Sequence, residues 1–161
     1  MKANDFKIIL EKHYRKGVSG RKLFLWYGSV DKLKIILPSD LIKEIDLLNL
    51  SESNTIIDDD TITRSLKNDL SQLLNSYLSG LKEDNQILVV YNCWVLSRYK
   101  IPLSVFYQDY LCDKTMAILQ IDNIDFDGSL PDYIKFNKEK TLQYISNLLP
   151  EENKQNIIVK N

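Results

Sequence analysis

Histidine is almost missing from this chain: His13 is the only one in 161 residues. A two-histidine metal site is therefore excluded, and any Ser/His/Asp or Cys/His arrangement would have to be built on that one side chain. His13 falls on the apolar face of the first helical stretch, which makes it a packing residue before it is a base. Cysteine is scarce as well. Cys93 and Cys112 lie 19 positions apart in apolar and aromatic sequence, a spacing that forms neither a redox pair nor a zinc half-site, so buried reduced thiols are expected. Five Gly and four Pro leave no room for a long low-complexity segment. No apolar run approaches the roughly 18 residues of a membrane span, and the first residues lack an apolar signal core. The expectation is a cytoplasmic protein without a membrane partner. An excess of one charge is also lacking. Lys and Arg number 21 against 22 Asp and Glu, so nucleic acid would bind only at a local patch, weakly and with strong salt dependence.

What remains is an ordinary globular composition, 44% apolar and 27% charged. A chain of this length buries roughly 70% of its unfolded surface, enough for a core without disulfides or metal. A single domain over 1–150 and a loose tail over 151–161 are expected. The pattern opens with a helix capped by Asn4, carrying Phe6, Ile9, Leu10 and His13 on one face. The run Lys22 to Tyr27 (KLFLWY) reads as a buried strand, and Ser29 can cap a short helix that ends at Pro38. Ile45 to Leu50 is a second strand candidate. A long helix follows, capped by Asp60 or Thr61, with Ile62, Leu66, Leu70, Leu74 and Tyr77 in one stripe. Gln86 to Tyr91 (QILVVY) and Thr115 to Ile121 (TMAILQI) read as strands buried on both faces, with a helix after Pro102 between them. An edge strand at Tyr133 to Phe136, a helix over Lys138 to Leu149 and a β stretch at Ile157 to Val159 complete the reading. Strands alternating with helices predict a three-layer α/β domain, its mostly parallel sheet covered by helices on both faces.

An α/β nucleotide binder would place its phosphate loop between Leu23 and Leu37, where a strand turns into a helix. Glycines would let backbone N–H groups wrap the phosphates, with a Lys and a Ser/Thr for charge and Mg²⁺. The turn here is Tyr27-Gly28-Ser29-Val30-Asp31-Lys32: one glycine, too short a loop, and an acid that repels phosphate. The partner feature, an Asp at the end of a later buried strand, is replaced by Tyr91-Asn92. Gly28, Ser29, Lys32 and Asn92 are the residues a nucleotide site would have to use.

The order of these elements, and above all ILVVYNCWVLSRYKIPLSVFYQDYLCDKTMAILQI, resembles the BrxF family, the small P-loop proteins of BREX phage-defence systems. The resemblance spans about residues 20 to 122 and is one of pattern. Asn92 and the Trp94-Val95-Leu96 run fit it. The family's phosphate loop has no match, and Tyr91 stands where the family has Asp. The resemblance implies a P-loop-like fold without its Walker motifs and an accessory role in a bacterial defence assembly.

Three further features carry alternatives. Lys12, Arg15, Lys16, Arg21 and Lys22 form a basic stretch that suits phosphates of nucleic acid, and equally a solvated helix end. Asn123 to Leu130 begins like a Ca²⁺ loop, but Ile134 and Pro131 occupy ligand positions, so a surface turn is expected. Trp94, Arg98, Tyr99 and Tyr107 have the composition of an interface hot spot. The expectation is a non-catalytic protein-binding subunit that needs no cofactor. The alternatives are a nucleotide-binding protein or weak NTPase with an atypical loop, and a small immunity protein that neutralises a toxin.

Overall fold

The computed structural model describes residues 1–17, 19–37, 40, 42–52, 59–80, 85–121 and 138–159. Its first element, α1 (Ala3–Lys16), buries Phe6, Leu10 and His13. The expected Asn4 cap does not form: Asn4 lies inside the first turn, and Lys2 precedes the helix without a side-chain cap. The start of the chain is held instead by the Met1 ammonium, which donates to the Ile157 carbonyl at 2.9 Å. That tether joins residues 156 positions apart, which no local capping rule could anticipate.

β1 (Lys22–Tyr27) has the expected bounds, and α2 (Val30–Ile36) is capped by Ser29, whose side chain accepts the Lys32 N–H. The next expectation is corrected. β2 covers Ile42–Asp46, and Leu47 to Leu50, expected to continue the strand, belong instead to a helix, α3 (Leu47–Glu52). The Asp46 carboxylate accepts the Leu48 N–H at 2.9 Å, and an acid so placed starts a helix by satisfying one of its orphan donors. α4 (Asp59–Ser79) begins before the expected caps, so Asp60 and Thr61 belong to its first turn. Its stripe is as expected, with Ile62, Leu66, Leu70 and Leu74 buried.

β3 (Gln86–Tyr91) and β4 (Thr115–Ile121) also have the expected bounds. Two short helices join them, α5 (Trp94–Arg98) and α6 (Ser104–Asp109). α7 (Lys138–Leu148) and α8 (Glu151–Lys154) lead to β5 (Ile157–Val159). The β stretch expected at Ile157 to Val159 is β5, and it ties the tail into the sheet by pairing in parallel with β1 from Leu25↔Ile157 to Tyr27↔Val159. The expected Tyr133 to Phe136 strand and the Asn123 to Leu130 turn lie outside the described residues.

The five strands among the described residues are all parallel, in the order β2-β3-β4-β1-β5. The connection from β1 to β2 runs one way across the sheet, and those from β2 to β5 run the other. Right-handed crossovers then place α2 on one face and the later helices on the opposite one. The strands alternate accordingly. Leu23 and Leu25 of β1 join a core beneath α3 to α7, while Phe24 and Trp26 join a smaller core beneath α1 and α2. This is the three-layer α/β architecture, with a parallel sheet buried on both sides.

Candidate functional site

In an open parallel sheet, ligands bind beyond the carboxyl ends of the strands, where neighbouring connections leave in opposite directions. Here that point lies between β1, which leads to α2, and β4, which leads towards α7. Gly28 and Ser29 stand at it. Both backbone groups of Gly28, and the carbonyl and hydroxyl of Ser29, are already engaged. The Gly28 N–H donates to the Ile121 carbonyl at 2.9 Å. The Gly28 carbonyl accepts from Gln120 Nε2 at 2.8 Å, and Gln120 is only 2% exposed. The Trp26 indole N–H donates to the Ser29 carbonyl at 3.2 Å, and Ser29 Oγ takes the Lys32 N–H at 3.4 Å. Gly28 is not in the left-handed region, which among the described glycines belongs to Gly17 and Gly20. The turn is therefore stitched to the sheet, whereas a phosphate cradle needs free N–H groups pointing outward. Lys32 sits exposed on α2.

The end of β3 is built just as tightly. Asn92 takes a positive φ of 55°, which asparagine tolerates better than most residues. Its Nδ2 donates to Asp46 Oδ1 at 2.7 Å, and its Oδ1 accepts the Trp94 indole N–H at 3.4 Å. The Tyr91 hydroxyl donates to Glu44 Oε1 at 2.7 Å; burial first, and that carboxylate second, push its pKa up. Burial likewise raises the Cys93 thiol, with Asp46 adding to the effect, so the sulfur stays protonated and unreactive. β4 separates Asn92 from the Gly28 turn, a gap of two strand spacings or roughly 10 Å. The four nucleotide candidates do not converge on one point.

The aromatic–arginine set is also divided. Trp94 is 7% exposed and packs in the larger core, which corrects its placement on an interface. The Tyr107 hydroxyl accepts from Asn153 Nδ2 at 2.8 Å and its carbonyl accepts from Arg21 at 2.8 Å, so it ties α6 to α8 and to the entry of β1. Burial, followed by the charge of Glu152, pushes the Tyr107 pKa up to about 12. Arg98 lies over the Tyr99 ring at 5.2 Å, and the Tyr99 carbonyl accepts the Thr63 hydroxyl. Both are half-buried.

Lys12, Arg15, Lys16 and Arg21 are exposed, and Lys22 is half-buried at the start of β1. They mark the amino-terminal rim of the sheet, the rim opposite the switch point. Lys12 and Lys22 share a surface cleft of about 420 Å³ with Met1 and Asp5, and that single acid offsets only part of their charge. His13 is buried beside that rim, its Nε2 3.1 Å from the Gln86 carbonyl. A carbonyl only accepts, so Nε2 carries the proton and Nδ1 is bare, without a partner among the described residues.

Sequence reasoning missed Asp46, Gln120 and two outward-facing isoleucines, Ile8 and Ile35. Gln120 had a signal, being the one amide in an otherwise apolar strand core. Among the described residues, no three His, Cys, Asp or Glu side chains gather as a metal site, and no helix is long and apolar enough to cross a membrane. Comparison with protein-family models, with curated proteins and with solved structures finds no significant match.

Proposed function

We propose that this chain is a non-catalytic subunit that works by binding another protein. The observation that carries the reading is the closed switch-point turn: Gly28 and Ser29 spend their polar groups on Ile121, Gln120, Trp26 and Lys32. An enzyme of this sheet type places its chemistry at that rim, and among the described residues the turn that leaves β1 there is held by structural hydrogen bonds. The nearest carboxylate to Asn92, Asp46, is engaged by the Leu48 N–H and the Asn92 amide. The resemblance to the small P-loop proteins of BREX systems supports a place in a phage-defence assembly.

Calorimetric titration with Mg-ATP and Mg-GTP tests the reading. The expected result is no heat and no rise in melting temperature. Micromolar binding that Lys32→Ala abolishes would instead establish a nucleotide site and displace it.

A further inference from the structure

Ile8 and Ile35 are 65% and 83% exposed. Both lie at the wrong helical phase for the core. On α1 the buried residues are Phe6, Leu10 and His13, and Ile8 falls on the opposite ridge at 100° per residue. On α2 the buried residue is Leu33, and Ile35 again points away from the sheet. Between the helices runs a groove of about 270 Å³, bounded by Lys7, Leu10, Glu11 and Tyr14 on one side and Ile35 to Leu37 on the other. Ile35 lines this groove, and Ile8 stands on the outer ridge of α1, in a neighbouring cleft with Glu11, Lys12, Arg15 and Lys16.

Charge says what fits there. α1 carries four cations and two acids, and α2 two cations and one acid, a net of +3 on these two helices in a chain of net −1. Asp40, close to Tyr14, and the 4.0 Å approach of Lys34 to Glu44 reduce the excess without reversing it. A second copy docking by this same face would set cation against cation, which an isologous contact cannot avoid. Nucleic acid would use the cations but gain nothing from outward isoleucines, and the face offers one aromatic ring, Tyr14, rather than a row of rings for successive bases. An interfacial membrane helix needs its broad apolar face free, and the broad faces of α1 and α2 are spent on the sheet.

We infer that the outer face of α1 and α2 is a docking surface for an acidic amphipathic helix of a partner protein, with Ile8 and Ile35 as its apolar anchors. The inference rests on the protein-binding reading above and names the surface and the partner's chemistry. The partner helix lays an apolar ridge along the groove and directs its carboxylates to Lys7, Lys12 and Arg15.

The test is fluorescence anisotropy with a labelled 18-residue helical peptide bearing leucines at i, i+3, i+4 and i+7 spacing and glutamates elsewhere. Micromolar binding is expected, at least tenfold weaker for Ile35→Asp and for Ile8→Asp, and several-fold weaker when salt rises from about 50 to 300 mM. Both variants should keep the parent melting temperature, since neither side chain is buried. A lysine version of the peptide should not bind. Absence of binding by the acidic peptide, or equal binding by the variants, overturns the inference. So does capture of anionic vesicles or duplex DNA in its place, or dimerisation that Ile35→Asp abolishes. Failure here with silent nucleotide titrations leaves the protein-binding reading standing on another surface, whereas nucleotide binding removes that reading itself.

Discussion

His13 and Asn92 each decide something at the scale of one side chain. His13 is buried as the neutral Nε2–H tautomer, and desolvation lowers its pKa below 6.5 despite the opposing bond to the Gln86 carbonyl. Below 6.5 the unfolded chain then binds more protons at this site than the folded one, so stability is complete above 6.5 and declines as pH falls below it. The melting temperature should drop between pH 7.5 and pH 5.5, and His13→Gln should flatten that drop. As the only histidine, its C2 proton gives a single NMR titration curve, and a midpoint at or above 6.5 in the folded protein would contradict the assignment.

Asn92 combines a positive φ with two side-chain bonds, so its substitutions separate backbone from side chain. Asn92→Gly keeps the conformation and loses the bonds, and should cost about 1 kcal/mol. Asn92→Ala loses both and should cost roughly 2–3 kcal/mol. Asn92→Asp sets a second carboxylate against Asp46 and should destabilise most near neutral pH. Urea unfolding of the three variants reads the order. Equal losses for Gly and Ala would mean that the backbone conformation contributes nothing.

At the scale of elements, legibility followed how much of each element's fate is local. β1, β3 and β4 were legible to the residue because aliphatic and aromatic runs bounded by Gly, Asn or charge have one favourable destiny, a strand buried on both faces. The stripe of α4 was legible for the same reason. β2 was misplaced because Ile45 to Leu50 is as apolar as a strand, yet Asp46 turns Leu47 onward into a helix through one hydrogen bond. α5 was not foreseen, since five residues are too few to show a period, and its start depends on the unusual backbone of Asn92. The candidate site fared less well than the strands. Gly28 and Ser29 do lie at the turn between β1 and α2, but the bond that holds the Gly28 carbonyl comes from Gln120, about ninety positions away.

For the whole molecule, the last residues matter more than their composition suggests. β5 closes one edge of the sheet through β1, Asn156 donates to the Leu23 carbonyl, and Ile157 receives the amino terminus. Removing residues 155–161 should therefore strip β1 of an edge partner and release both chain ends. A fall in melting temperature of several degrees, with increased aggregation from the exposed edge, is the expected outcome in thermal scans with light scattering. An unchanged melting temperature would show that β5 is dispensable.

Composition and hydrophobic period alone determined the class of fold, the strands at its centre and the scarcity of histidine and cysteine. These are local quantities, set by which side chains leave water and at what spacing. Only the tertiary structure decided that the β stretch of the tail pairs with β1, that Trp94 is core, that the Gly28 turn is bonded to Ile121 and Gln120, and that Ile8 and Ile35 both face outward. Each of those depends on groups brought together from distant parts of the chain, and the period of a single element carries no record of its neighbours.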